Sequence, residues 1–125
     1  MTDDYRLQHR APTSGVSLDN LETMYPDIYA HPEWYDVTPD IANFLRSVRG
    51  KPDQAVTIYR ALPPDAPQEI NPGDWVTISM QYAREHAIQD DDEANDWPVI
   101  SRVVRVGSLF NDGSSPLEYG WDGAE

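Results

Sequence analysis

The sequence contains no cysteine. This absence excludes disulfides, thiolate metal ligands and a cysteine nucleophile. Long apolar stretches are also missing, because no run approaches the roughly 20 residues that a membrane-spanning helix needs. The N-terminal segment MTDDYRLQHR has no apolar core, so we do not expect a signal peptide there. The expectation is a cytoplasmic protein with no membrane partner.

Basic side chains are scarce. Nine Lys and Arg stand against 22 Asp and Glu, which gives a formal net charge of −13. Such a surface repels phosphate backbones, so ordinary nucleic-acid binding is disfavoured. Two interpretations of the charge remain. In one, it keeps the protein soluble in a crowded cytoplasm. In the other, an acidic surface imitates a nucleic acid and occupies a basic groove of another protein.

Several local motifs that carry chemistry are absent as well. The chain has no glycine-rich phosphate loop, no HExxH zinc helix and no GxSxG nucleophile elbow. His9, His31 and His86 are scattered without ligand spacing, and each fits a surface or loop position better than a metal site. The acidic stretch 88–97 lacks the glycine and the final acid of a calcium loop, which favours a solvated loop. We therefore expect no metal ion.

The clearest helix signal is the segment TPDIANFLRSVRG, residues 38–50. Thr38 suits the N-cap, Pro39 suits the first helical position, and Gly50 suits the left-handed position after the end. Four apolar residues fall on one helical face and are expected to pack on the core: Ile41, Phe44, Leu45 and Val48.

The residues before this helix give weaker signals. Ser17 fits the N-cap of a short helix, with apolar residues following it near one face. Residues 25–37 are rich in Tyr and Trp but contain Pro26 and Pro32, so no regular element is expected there. Such a stretch forms either a flap over a site or ordinary packing on a small core.

The second half of the chain gives strand signals, with β-branched and aromatic residues between turn formers. A short helix, MQYAREHA at 80–87, is expected to follow one of these strands directly, with Ser79 at the junction. The segments expected to form strands are QAVTIYRAL (54–62), GDWVTIS (73–79), PVISRVVRV (98–106) and LEYGWDG (117–123).

This order of elements predicts the fold class. Only one strand-to-strand connection carries a helix, which does not suit a parallel βαβ arrangement. We predict a single α+β domain over residues 1–125. In it, a helical or irregular N-terminal part, 1–54, packs on a mixed, mostly antiparallel sheet formed by residues 55–122.

Arg60, Ser79 and Glu118 are the candidate site residues, one on each of three predicted strands. Each also has an ordinary structural explanation. Arg60 can pair with one of many carboxylates, Ser79 can simply cap the helix after it, and Glu118 can be an exposed acid. Together, in this order and on these elements, they favour a site in which Ser79 caps the helix and lines a pocket.

The motifs TIYRA, GDWVTIS running into MQYAREHA, and LEYGW resemble the arginine–serine–glutamate class of ADP-ribosyltransferases. They also resemble small phage-encoded proteins that carry the same pattern. The resemblance covers roughly residues 55–122. It implies an ADP-ribosyltransferase type of fold and NAD+ as a substrate. It further implies mono-ADP-ribose transfer to a macromolecule, a protein rather than a nucleic acid, in a bacterial cytoplasm.

The resemblance also implies a role for each residue of the pattern. Glu118 would stabilise the positive charge that develops on the ribose as nicotinamide leaves. Arg60 would bind the phosphates of NAD+ through charge-assisted hydrogen bonds. Ser79, with Thr77 in the same segment, would contact the dinucleotide and orient the glutamate and the ribose.

Two aromatic side chains, Tyr82 and Tyr119, are candidates for stacking on the nicotinamide. At one position the chain departs from the family. Many members have Gln or Glu two residues before the catalytic glutamate, where it positions the acceptor, and this chain has Pro116 there. Arginine is therefore not assumed to be the acceptor.

A second hypothesis comes from a different class of function. A non-catalytic phage protein of this charge could dock in the nucleic-acid channel of a host nuclease or defence complex, with DDDEAND (90–96) as the contact surface. A salt-sensitive complex with a basic partner would favour this hypothesis, and NAD+ binding would not be expected. A third reading is the same fold without activity, serving as an accessory module.

Overall fold

Residues 10–124 are described by a computed structural model, and within this range every strand pair is antiparallel. The strands are β1 (Val16–Ser17), β2 (Ala55–Ala61), β3 (Trp75–Val76), β4 (Val99–Arg105), β5 (Leu109–Asn111) and β6 (Tyr119–Trp121). The α-helices are α1 (Pro39–Val48) and α2 (Met80–Ala87), with 3-10 segments at Leu18–Thr23, Pro32–Tyr35, Glu93–Asn95 and Val106–Ser108. The α+β class is confirmed, whereas the parallel pairing that a mixed sheet would need is not found among these residues.

The longest ladder joins β2 and β4. It runs from the pair Ala55↔Arg105 to the pair Ala61↔Val99. Both strands are rich in Val and Ile, which pack well on a pleated surface. The strands predicted at 54–62 and 98–106 are therefore confirmed.

The remaining strands form a second sheet in the order β1-β5-β6-β3. One bridge joins the two sheets, because Tyr59 and Thr77 exchange backbone hydrogen bonds of 2.8 and 3.0 Å. The strand predicted at 73–79 is shorter than expected. It narrows to this single bridge after Val76, and Ser79 already has the extended backbone of an N-cap. As a consequence β3 lies between β6 and β2.

Helix α1 confirms the prediction for residues 38–50. Thr38 is the N-cap, but its hydroxyl donates to Asp40 at 2.5 Å instead of capping the backbone. Gly50 has the expected left-handed φ of 73°. The face toward the core comprises buried Ala42, Leu45 and Val48 and half-buried Ile41 and Phe44.

The aromatic stretch 25–37 mainly packs on the core. Tyr25 is buried, and Tyr35 packs edge-on against it at 5.3 Å between ring centroids. Trp34 is the exception, with 62% exposure and a stacked contact to His31. The prolines do not prevent all regular structure, since Pro32 begins the 3-10 segment that ends at Tyr35. A 3-10 segment also takes the place of the short helix expected after Ser17.

The hydrophobic core is one cluster whose members come from both ends of the described chain, from Leu18 to Trp121. The N-terminal part crosses the sheet very closely at Gly120 of β6. A Cβ at that position would lie 1.8 Å from the carbonyl oxygen of Pro12 and 2.8 Å from the Cβ of Ala11. Ala11 is fixed there by donating its amide to Gly73, which adjoins β3.

None of the helices within residues 10–124 combines the length and the apolar character needed to cross a membrane.

Candidate functional site

Three neighbouring strands carry the residues that the sequence pattern singled out. Arg60 lies on β2, Thr77 and Ser79 follow β3, and Glu118 immediately precedes β6. The pair Val76↔Tyr119 joins β3 to β6, and the bridge between Tyr59 and Thr77 joins β3 to β2. Segments far apart in the sequence are thus held side by side by backbone hydrogen bonds.

These strands and helix α2 enclose a pocket of about 180 Å³. Its walls are mostly aromatic or aliphatic, with one guanidinium and one carboxylate. The residues that line it are Tyr59, Arg60, Ala61, Trp75, Val76, Thr77, Tyr82, Ala83, His86, Trp97 and Glu118. A cavity of about 150 Å³ can hold one benzene molecule, so this pocket has room for a single planar ring with a small substituent.

Arg60 is held firmly but is not saturated with hydrogen bonds. One terminal nitrogen donates to the carbonyl oxygen of Trp75 at 2.6 Å. Its Nε lies 3.9 Å from a carboxylate oxygen of Asp74, which is an ion-pair distance but too long for a hydrogen bond. That Nε is buried and has no hydrogen-bond partner among the described residues. Because Nε is buried, the donors that Arg60 can offer to an anionic ligand are its terminal N–H groups, of which only one nitrogen is hydrogen-bonded among the described residues.

Glu118 is oriented by Tyr82 of helix α2. The Tyr82 hydroxyl donates to Glu118 Oε1 at 2.6 Å. Burial, together with this hydrogen bond and the negative charge of Glu118, raises the pKa of Tyr82 well above its ordinary value. Tyr82 is therefore a neutral hydrogen-bond donor at physiological pH, and one carboxylate oxygen of Glu118 is fixed by it.

The predicted capping role of Ser79 is confirmed. Its hydroxyl accepts a hydrogen bond from the backbone amide of Tyr82 at 3.1 Å, which is N-cap geometry for α2. It is not among the described residues that line the pocket. Thr77 does line it, and its hydroxyl accepts from the backbone amide of Ser79 at 3.1 Å. In this conformation Ser79 caps helix α2. It does not line the pocket, and its hydroxyl is not hydrogen-bonded to the carboxylate of Glu118.

The expectation that Tyr119 stacks on a ligand is wrong for this structure. Its side chain is fully buried, and its hydroxyl donates to the carbonyl oxygen of Pro116 at 2.5 Å. Adjacent residues of a strand point to opposite faces. Since Glu118 faces the pocket, Tyr119 faces the core.

Most residues of the pocket wall lie outside the sequence pattern of candidate site residues. Trp75 lies on the same side of the 73–79 alternation as Thr77, and that pattern could have found it. Trp97 ends the acidic stretch, and its amide donates to the carbonyl oxygen of Ala87 at 2.8 Å, which brings it beside α2. His86 was expected at the surface, where it is, but it also borders the pocket. Its ring lies 4.4 Å from that of Tyr82 between centroids.

The other predicted positions take no part in this pocket. His31 stacks on Trp34 outside it, and His9 lies outside the described residues. Within residues 10–124, no three His, Asp or Glu side chains are grouped as ligands for a metal ion. A second cavity, of about 340 Å³, lies between α1 and β2. Its described lining contains no carboxylate, imidazole or cationic side chain, so it offers little chemistry.

The chemistry that the pocket offers is specific. Aromatic walls favour a planar ring, a nearby carboxylate favours positive charge, and a guanidinium favours phosphate or carboxylate groups. A ligand with a cationic ring joined to an anionic chain would satisfy all of them. Comparison of the chain with protein-family models, with curated proteins and with solved structures found no match.

Proposed function

We propose that this protein is a mono-ADP-ribosyltransferase that moves ADP-ribose from NAD+ to a macromolecule, with an ADP-ribosyltransferase type of fold. One observation carries the proposal. Arg60 and Glu118, two of the three residues singled out by their order in the sequence, line one pocket with aromatic walls, and Thr77, from the same segment as Ser79, lines it as well. NAD+ is a ligand of the required kind, since its nicotinamide ring is cationic and its pyrophosphate anionic.

The size of the pocket assigns the parts of NAD+. A volume of about 180 Å³ holds the nicotinamide ring but not the whole dinucleotide. The ring would lie between the aromatic walls, the adjoining ribose next to Glu118, and the pyrophosphate against Arg60. The adenosine part would then extend over the surface outside the pocket.

The reaction follows from this placement. The bond between nicotinamide and ribose C1′ breaks, and nicotinamide leaves with the electron pair as a neutral molecule. Positive charge develops on the ribose, where the carboxylate of Glu118 stabilises it. An acceptor nucleophile then attacks C1′ and loses a proton. Tyr82 holds the carboxylate while leaving its second oxygen available to the ribose.

The choice of acceptor rests on Pro116, which stands where many members of the resembled class have a Gln or Glu that positions the acceptor. Pro116 is buried, and its carbonyl oxygen accepts from Tyr119. Position 116 therefore offers no side chain that could hold an acceptor group. We propose a protein acceptor in a bacterial cytoplasm and assign no residue type to it.

Binding of NAD+ can be measured directly, because Trp75 and Trp97 line the pocket. Titration with NAD+ should give saturable quenching of tryptophan fluorescence, with a dissociation constant between about 1 μM and 1 mM. A Trp34→Phe background removes the most exposed tryptophan, which lies outside the pocket. Added nicotinamide should compete with NAD+. No saturable change at millimolar NAD+ would overturn the proposal.

The acidic inhibitor remains the second candidate because of one observation: every residue from 90 to 96 is exposed. Asp90 and Asp92 shape this loop by accepting hydrogen bonds from within it. The double variant Asp91→Asn, Glu93→Gln would remove two exposed charges without touching those bonds. An inhibitor should lose affinity for a basic partner in this variant, whereas NAD+ binding should not change.

A further inference from the structure

A buried amide lies behind the loop that ends at Glu118. Asn111, the last residue of β5, is 1% exposed. Its Nδ2 donates to the carbonyl oxygen of Ser115 at 2.7 Å and to that of Glu118 at 3.3 Å. The amide group therefore ties the middle of the loop 112–118 to its end.

The same amide is fixed from its other side. Tyr25 donates its buried hydroxyl to Asn111 Oδ1 at 2.9 Å, and the backbone amide of Gly113 donates to the same oxygen at 2.7 Å. Because Oδ1 receives two donors and Nδ2 makes two bonds, the amide can take only one orientation. A flipped amide would place its Nδ2 against the amide of Gly113 and its Oδ1 against two carbonyl oxygens.

A third residue completes the support. The hydroxyl of Tyr119 donates to the carbonyl oxygen of Pro116 at 2.5 Å from within the core. Three carbonyl oxygens of one short loop thus receive bonds from fixed, buried side chains. The lone pairs of buried carbonyls are costly to leave unsatisfied, so the loop has one strongly preferred path.

We propose that Asn111, locked by Tyr25, is a positioning residue for Glu118. Neither Asn111 nor Tyr25 lines the pocket, and they act by fixing the backbone from which the carboxylate projects. The N-terminal part of the chain contributes to this positioning, because it supplies Tyr25. The proposal rests on the proposed function in so far as Glu118 acts on NAD+.

Two variants test it, with a matched control. Asn111→Asp keeps the size of the side chain but replaces the donor nitrogen by an oxygen, which faces two carbonyls. Tyr25→Phe is milder and removes only the hydroxyl that locks the amide. Tyr35→Phe removes a hydroxyl from the ring packed against Tyr25 and serves as control, because that hydroxyl is not part of the network.

The first readout does not need activity. Backbone hydrogen exchange of the peptide covering 112–118 should become about fivefold faster in Tyr25→Phe and faster still in Asn111→Asp. Exchange in α1 and in the control should stay at the wild-type rate. If Asn111→Asp fails to fold, Tyr25→Phe decides alone. Equal exchange of the loop in Tyr25→Phe and wild type would overturn the proposal.

The second readout is nicotinamide release from NAD+. Tyr25→Phe should lower kcat about three- to tenfold and leave KM within about twofold, since the binding contacts in the pocket are untouched. Faster exchange with an unchanged kcat would overturn the positioning role. A wild-type protein without NAD+ binding, transfer or nicotinamide release would contradict the proposed function, and exchange would then decide the inference by itself.

Discussion

The substitution Gly120→Ala tests how closely the N-terminal part crosses the sheet beside the site. The added Cβ would lie 1.8 Å from the carbonyl oxygen of Pro12, whereas real Cβ contacts essentially do not fall below 3.0 Å. The crossing segment would have to move by about 1.2 Å, the difference between these two distances. The obstacle is backbone, so no side-chain rotation relieves it.

The cost follows from what this movement disturbs. Overpacking of a tight site typically costs about 1–3 kcal/mol. The movement would also lengthen the 3.1 Å hydrogen bond from the Ala11 amide to Gly73, a loss of about 1 kcal/mol. We expect the free energy of unfolding to fall by about 2–4 kcal/mol, a large part of the roughly 5–15 kcal/mol of a typical domain.

Urea unfolding followed by circular dichroism measures this change, with a slope of about 1–3 kcal/mol per molar urea. Gly50→Ala is the control: its φ is +73°, nothing lies within 4 Å of the added Cβ, and only backbone strain of about 1 kcal/mol is expected. A Gly120→Ala protein within about 0.5 kcal/mol of wild type, or a larger loss in the control, would refute the close crossing.

Three further outcomes are expected. Ser79→Ala should lower the free energy of unfolding by about 1 kcal/mol, because helix α2 loses its N-cap hydrogen bond. Thr38→Ala should cost less in the same urea titration, because the hydroxyl of Thr38 does not bond the backbone of α1. The free energy of unfolding should fall above pH 10. Burial raises the pKa of Tyr82 and of Tyr119 in the folded state, so above this pH the unfolded chain releases protons that the folded chain keeps. The slope should reach about 1.4 kcal/mol per pH unit for each such tyrosine, and Tyr82→Phe should flatten it. Arg60→Gln should weaken NAD+ binding roughly tenfold to a hundredfold by fluorescence titration, and an unchanged affinity would show that Arg60 does not bind the phosphates.

Local sequence signals predicted the elements well where capping residues and periodicity agreed. Helix α1 has a Pro at its first position, a Gly after its end and an apolar stripe, and all three features are in the structure. The strand at 73–79 was overestimated because alternation continues through Thr77 and Ile78, although backbone pairing narrows to one bridge there. Periodicity reports side-chain burial, not the hydrogen-bond ladder.

The candidate site was predictable in part, because the order of its motifs along the chain can be read from the sequence. Order along the chain gave Arg60, Ser79 and Glu118, of which Arg60 and Glu118 line the pocket, whereas Ser79 caps helix α2. Tyr119 lies outside the pocket because neighbours of a strand point to opposite faces and Glu118 already faces the pocket. The bond between Tyr82 and Glu118 joins residues 36 positions apart, and no local pattern specifies it.

The central claim is tested most directly by nicotinamide release and label transfer from labelled NAD+, with a bacterial extract as acceptor. Wild type should show either activity, and Glu118→Gln should lower it at least about 100-fold, because the amide keeps the shape and removes the stabilising charge. Glu69→Gln, which removes one exposed charge elsewhere, should remain active. Equal activity of Glu118→Gln and wild type would contradict the site, and a wild-type protein without NAD+ binding, transfer or release would contradict the function.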